Sequence, residues 1–232
     1  MKNLQYAIFP AILAALAAAL FIPAYCSVTL WAVEPHWLGG LLFLIPATVF
    51  ALVCVLSVKC RSSGMLASLM LMPIMAIFTA ICIFMFSIYM SADVATDIER
   101  YQKALEDAEQ IGLFCAHFPD EIPNSAQDVE MAYTRGFGQA GASFALRIGV
   151  TDETAENLAE NFGRSAEWSG SPRAPDAERH GVYSGSMELM RDGGELPGDT
   201  VVYVLRCDSG RAFTAVSKQT GTAFYYSSEE FN

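Results

Sequence analysis

Three apolar runs occupy residues 1–90: Leu4 to about Leu30, Trp37 to Val58, and Met65 to Met90, and no Asp, Glu, Lys, Arg or His lies inside any of them. Each reaches the roughly 20 residues that an α-helix needs to cross about 30 Å of hydrocarbon. A helix buried in a soluble protein keeps a polar stripe, and these runs have none. They are therefore read as three transmembrane helices, with residues 1–90 forming the membrane region. The rival reading of the first run is a cleaved signal peptide. It fits poorly, because the apolar stretch exceeds an h-region of about 7–15 residues and no small-x-small cleavage site follows.

Charge in the loops sets the expected orientation. Lys2 precedes the first run, Lys59 and Arg61 lie between the second and third, and the loop between the first and second carries only Glu34 and His36. Basic residues favour the cytoplasmic side. The sequence thus predicts a multi-pass cell-membrane protein with a cytoplasmic N-terminus and everything after Met90 extracytoplasmic. Trp31 and Trp37 flank the external loop, where aromatic residues suit the interface.

A transport path usually needs ionisable groups at membrane depth, and these runs supply none. Ala7, Ala11, Ala15 and Ala19 recur every four residues in the first run, a small-residue face that permits close helix packing. That face is assigned either to the chain's own spans or to a homo-oligomer or partner contact. The third run holds Met65, Met70, Met72, Met75, Met85 and Met90. Methionine sulfur suits Cu(I), but without a Met-x-x-x-Met pair these residues read as apolar filler.

Beyond residue 90 the composition changes abruptly. Residues 91–232 carry 11 Lys/Arg against 24 Asp/Glu, a net charge of −13. So acidic a surface repels nucleic acid and anionic lipid headgroups, and no DNA or RNA partner is expected. Val94, Ile98, Tyr101, Leu105 and Ala108 make a helical stripe, which predicts a juxtamembrane helix over 91–118 running on from the third span without a break. Its apolar face packs either on its own domain or against another protomer. Pro119 and Pro123 end it.

Residues 119–232 then read as one α+β domain. Strands are expected near 128–134 and 142–150 around a glycine-rich turn. A helix follows from Thr151 or Asp152, with Ala155, Leu158, Ala159 and Phe162 on its buried face. Gly163 to Gly181 is read as a surface loop and Tyr183 to Met190 as a strand. "TVVYVLRC", "AFTAVS" and "TAFYYS" read as three antiparallel strands joined by tight turns. The fold class is therefore an α-helical membrane anchor of three transmembrane helices plus an α+β soluble domain, with an antiparallel sheet and one packed helix.

The segment "FPDEIPNSAQDVEMAYTRGFGQAGASFALRIGVTDE", residues 118–153, resembles a pattern in uncharacterised bacterial membrane-anchored or exported proteins. The shared features are FP..IP, a strand ending in Tyr, Gly-Phe, a glycine-rich turn, a second strand, and Asp-Glu opening a helix. "GRAFTAVSKQTGTAFYYS" resembles their C-terminal part more loosely. The resemblance implies a shared α+β fold and carries no activity.

Site chemistry is sparse. Cys115 and Cys207 are the only cysteines beyond residue 90, and an oxidising compartment would permit a disulfide between them; two separately buried thiols are the alternative. No His-x-x-His, Cys-x-x-Cys or Gly-x-Ser-x-Gly motif is present, so neither a metal ligand set nor a catalytic residue is assigned, and no cofactor is expected. His117 and His180 are the only histidines in the soluble half. Asp192, Glu195 and Asp199 lack EF-hand spacing. Arg135, Gly136 and Gly138 form a weak anion-loop candidate. The leading expectation is a non-enzymatic binding or assembly module. Its spans meet membrane lipid, and residues 119–232 meet a partner protein or envelope component. A subunit of a membrane transport complex and a minor envelope hydrolase are the alternatives.

Overall fold

The computed structural model describes residues 7–29, 33, 37–60, 64–136, 141–191, 195–208 and 210–229. The chain forms two compact units, Met1–Met90 and Ser91–Asn232.

In the first unit, α1 spans Ile8–Thr29, and α2 (Trp37–Gly40) leads through a 3₁₀ turn (Leu41–Leu44) into α3 (Ile45–Cys60). The long helix α4 follows over Gly64–Ala92. The 3₁₀ turn has a local cause: Pro46 has no N–H to give the Leu42 carbonyl, and Ile45 N–H takes that carbonyl instead. Ile8–Cys26, Trp37–Cys60 and Gly64–Phe86 are long and apolar enough to cross a membrane. The Cys54 thiol donates to the Ala7 carbonyl at 3.7 Å. Phe21 and Ala24 of α1 meet Phe43 and, from α4, Phe78, Cys82 and Phe86 in an apolar cluster. Pro10 and Ser57 crowd the place where a Cβ on Gly64 would sit, so that close approach needs glycine.

The alanine face behaves differently from the intramolecular reading. Ala7 is buried, but Ala11, Ala15 and Ala19 are exposed. The residues that α1 turns inward are Pro10, Leu13, Ala14, Ala17, Phe21 and Ala24, which recur at helical spacing. Pro10, Leu13 and Phe21 on that face gain dispersion contact that the row of alanines at 11, 15 and 19 would not.

The second unit is built on a six-stranded antiparallel sheet in the order β1-β2-β6-β5-β4-β3. The strands are β1 Gln127–Thr134, β2 Ser143–Gly149, β3 Trp168–Gly170, β4 Val201–Leu205, β5 Arg211–Ser217 and β6 Thr222–Ser228. Helix α5 covers Tyr101–Gln110, and α6 covers Asp152–Ser165. The α6 N-terminus is set by Thr151, whose hydroxyl accepts from Thr154 N–H at 3.3 Å, and by Asp152 and Glu153 in the first turn. Both faces of the sheet are covered. On one, Tyr101 of α5 and Phe118 pack on Phe144, while Leu158, Ala159 and Phe162 of α6 pack with Ala155 around Tyr203 and Val216. On the other, Ala177, Val182, Met187 and Met190 cover Val202, Phe213, Ala215 and Phe224.

Three expectations are corrected. The juxtamembrane helix is not continuous over 91–118: α4 ends at Ala92, and α5 begins only at Tyr101 after a short 3₁₀ turn. Between them Ala95 exchanges two backbone hydrogen bonds with Tyr133 (2.8 and 2.9 Å), so its backbone serves the edge of β1. Asp97 then accepts from Glu99 N–H at 3.1 Å and restarts the helical turn. Val94, placed in the apolar stripe, is exposed, whereas Tyr101, Leu105 and Ala108 bury against their own domain. The segment from Ser184 to Met190 is a kinked run of 3₁₀ turns rather than a strand. Finally, the stretch read as a loop over 163–181 contains β3, which pairs with β4 at Trp168↔Val204 and Gly170↔Val202.

Candidate functional site

A concave surface of the soluble unit lies where the 171–197 segment meets the β4–β5 turn. A groove of about 460 Å³ is floored by Val204, Ala212 and Phe213 and walled by Glu178, Arg179, His180, Cys207 and Arg211. A second cavity of about 220 Å³ is lined by Arg173, Met187, Arg191, Glu195 and Leu196, among others. Tyr183 lines both.

Local folding places each wall. The 3₁₀ turn Ala177–His180 ends at Gly181, whose φ of 77° is left-handed. The Arg211 side chain passes directly over Gly181 and seats its guanidinium 4.7 Å from the centroid of the Tyr183 ring. That cation–π contact keeps an arginine at the groove centre while the tyrosine stays 41% exposed. Beside it, His180 stacks on Trp168 (5.0 Å, 16°), and Trp168 Nε1–H donates to Asp176 at 3.1 Å. These contacts tie the edge strand β3 to the 3₁₀ turn. The charge is mixed: Arg173, Arg179, Arg191 and Arg211 face the same surface as Glu178 and Glu195, while Glu167 pairs with Arg206 at 3.7 Å. Arginines thus gather here on a domain whose net charge is −13.

Of the candidate residues singled out in the sequence, His180 and Cys207 line this groove and Glu195 lines the second cavity, while Asp192 lies outside the described residues. No disulfide joins Cys115 and Cys207. Cys115 is buried, and burial pushes its thiol up to about 12, with Glu109 adding to the effect, so its thiolate is scarce. The Cys207 thiol donates to the Gly210 carbonyl at 3.3 Å within its own turn. Arg135 Nε lies 3.6 Å from Asp107, which also accepts the Tyr133 hydroxyl at 2.5 Å. Gly136 has the left-handed φ of 78° expected of its turn, and Gly138 lies outside the described residues. Lys59 is exposed in the last turn of α3, and Arg61 lies outside the described residues.

Asp199 has a structural role. Desolvation pushes its carboxyl up, but Gln219 N–H (2.7 Å) and the Ser217 hydroxyl (2.8 Å) more than offset this and hold it below the ordinary carboxylate range. It staples the turn between β5 and β6. Among the described residues, no three His, Cys, Asp or Glu side chains converge as a metal site. The groove itself was not anticipated, because its walls come from segments about thirty residues apart in the chain. No protein-family model, curated protein or solved structure matches this chain.

Proposed function

We propose that the chain is a membrane-anchored binding module, with three spans as anchor and the acidic α+β unit as a non-enzymatic contact surface on the extracytoplasmic side. Three apolar helices fit a membrane protein. The outward placement rests on the basic side chains between the second and third spans. The observation that carries the binding reading is the Tyr183–Arg211 pair at the junction of two grooves. Tyrosine and arginine are the residue types that most often dominate protein interfaces, because they combine a rigid apolar body with a polar head. The partner is a protein or envelope component that lies along the groove.

A photo-crosslinking residue in place of Tyr183, in intact cells, tests this. The expected result is a discrete adduct from position 183 and none from the exposed α6 position Asn157. Arg211→Ala should lower the adduct yield about 30-fold, the effect of losing an interface contact of about 2 kcal/mol. Failure of position 183 to crosslink more than position 157 would remove the groove as the contact surface.

A further inference from the structure

Segment 111–126 crosses one face of the sheet between α5 and β1 with no helix or strand of its own. Its attachment centres on His117, which is 8% exposed. The imidazole stacks on Phe114 (5.6 Å, 15°) and packs against Phe118 (4.6 Å) and Tyr225 (6.4 Å). Nε2 lies 3.0 Å from the Tyr226 carbonyl, which assigns its proton there, and Nδ1 has no hydrogen-bond partner among the described residues. Phe118 in turn lies flat on Phe144 (4.6 Å, 11°). A second tie holds the far side of the segment: the Tyr101 hydroxyl donates to the Pro119 carbonyl at 2.6 Å.

The surroundings of the imidazole are aromatic and uncharged. From β6 it meets the Tyr225 phenol, pushed up to about 12 by burial, and the Tyr226 carbonyl. From β5 it meets the Phe213 backbone. On its own segment the titratable neighbours are the buried Cys115 thiol and the exposed Asp120, and from α5 come Tyr101, on which Tyr225 and Cys115 act, and the exposed Glu109 near Cys115. No carboxylate acts on the ring itself. Burial pulls its pKa down to about 4, and the Tyr226 and Phe213 backbones offset only part of that.

We propose that His117 is an acid-sensitive latch: protonation of its imidazole releases segment 111–126 from the sheet and uncovers the Phe144–Tyr225 face while the sheet itself stays folded. The neutral ring fits the aromatic slot with Nε2 on the Tyr226 carbonyl. An imidazolium adds a full charge inside a slot that holds no counter-charge, and the Tyr226 and Phe213 backbones offset only part of that cost. Above pH 6.5 both closed and open forms are neutral and the latch stays shut. Between pH 6.5 and about 4 only the open form takes up the proton, so opening rises about tenfold per pH unit and about 300-fold in all. The proposal is independent of which side of the membrane the unit occupies.

Hydrogen exchange on the full chain in detergent, corrected for intrinsic rates, tests it. From pH 7.5 to pH 5, opening of 111–126 should rise about 30-fold while β5 and β6 keep their protection, and His117→Gln should remove the rise. If 111–126 and the sheet lose protection together, or if His117→Gln keeps the same pH dependence, the latch is wrong. Should His117→Gln fail to fold, proton NMR of the His117 ring in the wild-type chain decides: a midpoint well below 6 supports the latch, and one near 6.5 overturns it.

Discussion

Phe144→Ala should destabilise the soluble unit by about 3–5 kcal/mol, the range for deleting a fully buried aromatic ring. Phe144 is fully buried on β2 and is met by three rings from three elements: Tyr101 of α5 (5.9 Å), Phe118 of the covering segment (4.6 Å) and Tyr133 of β1 (5.4 Å, edge-on). Alanine here leaves a hole that several rings share, and partial collapse cannot fill it, because Tyr133 is held by Asp107 and Tyr101 by Pro119. Thermal unfolding of the full chain, followed by near-ultraviolet circular dichroism, reads the loss as a large fall in Tm. A change under about 1 kcal/mol would mean that these rings do not form the core described.

Gly210→Val is the second large effect. Gly210 closes the turn between β4 and β5 at φ 85°, and a Cβ there would overlap the Ser228 carbonyl oxygen. The left-handed backbone alone costs about 1–3 kcal/mol for a side chain of this kind. The overlap adds to it, since the atom in the way is backbone of β6 and cannot rotate aside. Loss should appear both as a lower Tm and as weaker protection at the β5–β6 end nearest the groove. Gly185→Val, where a Cβ meets open space, serves as the control and should change Tm little. Equal effects at the two positions would contradict the turn geometry.

The physical reasons for what the sequence disclosed differ from element to element. Apolar runs longer than a bilayer is thick admit few structures, so the spans were legible without context. Thr151 capping α6 and the glycines between β1 and β2 are local signals, and those elements came out within a residue or two. The misread segments are those whose state is fixed by distant partners. Residues 93–97 look helical from their neighbours, but Ala95 is claimed by Tyr133, almost forty residues on. Tyr183 to Met190 reads as a strand, yet Met187 and Met190 cover a sheet face from 3₁₀ turns. Trp168 sits in a Ser/Gly/Pro-rich stretch that hides a three-residue strand. The groove was illegible for the same reason: Arg211 and Tyr183 have no sequence relation, and only the β4–β5 turn places one over the other. His117 was visible as a scarce histidine, but its burial depends on β6.

In the proposed topology the acidic unit is displayed on the far side of the membrane from the loop between α3 and α4. Two single-cysteine chains test it most directly, one keeping Cys60, exposed at the end of α3, and one carrying Asn157→Cys on the exposed face of α6. Both are treated in intact cells with a membrane-impermeant maleimide. Position 157 should label in intact cells and Cys60 only after permeabilisation. Labelling of Cys60 with position 157 protected would contradict it and place the domain and its groove among cytoplasmic partners.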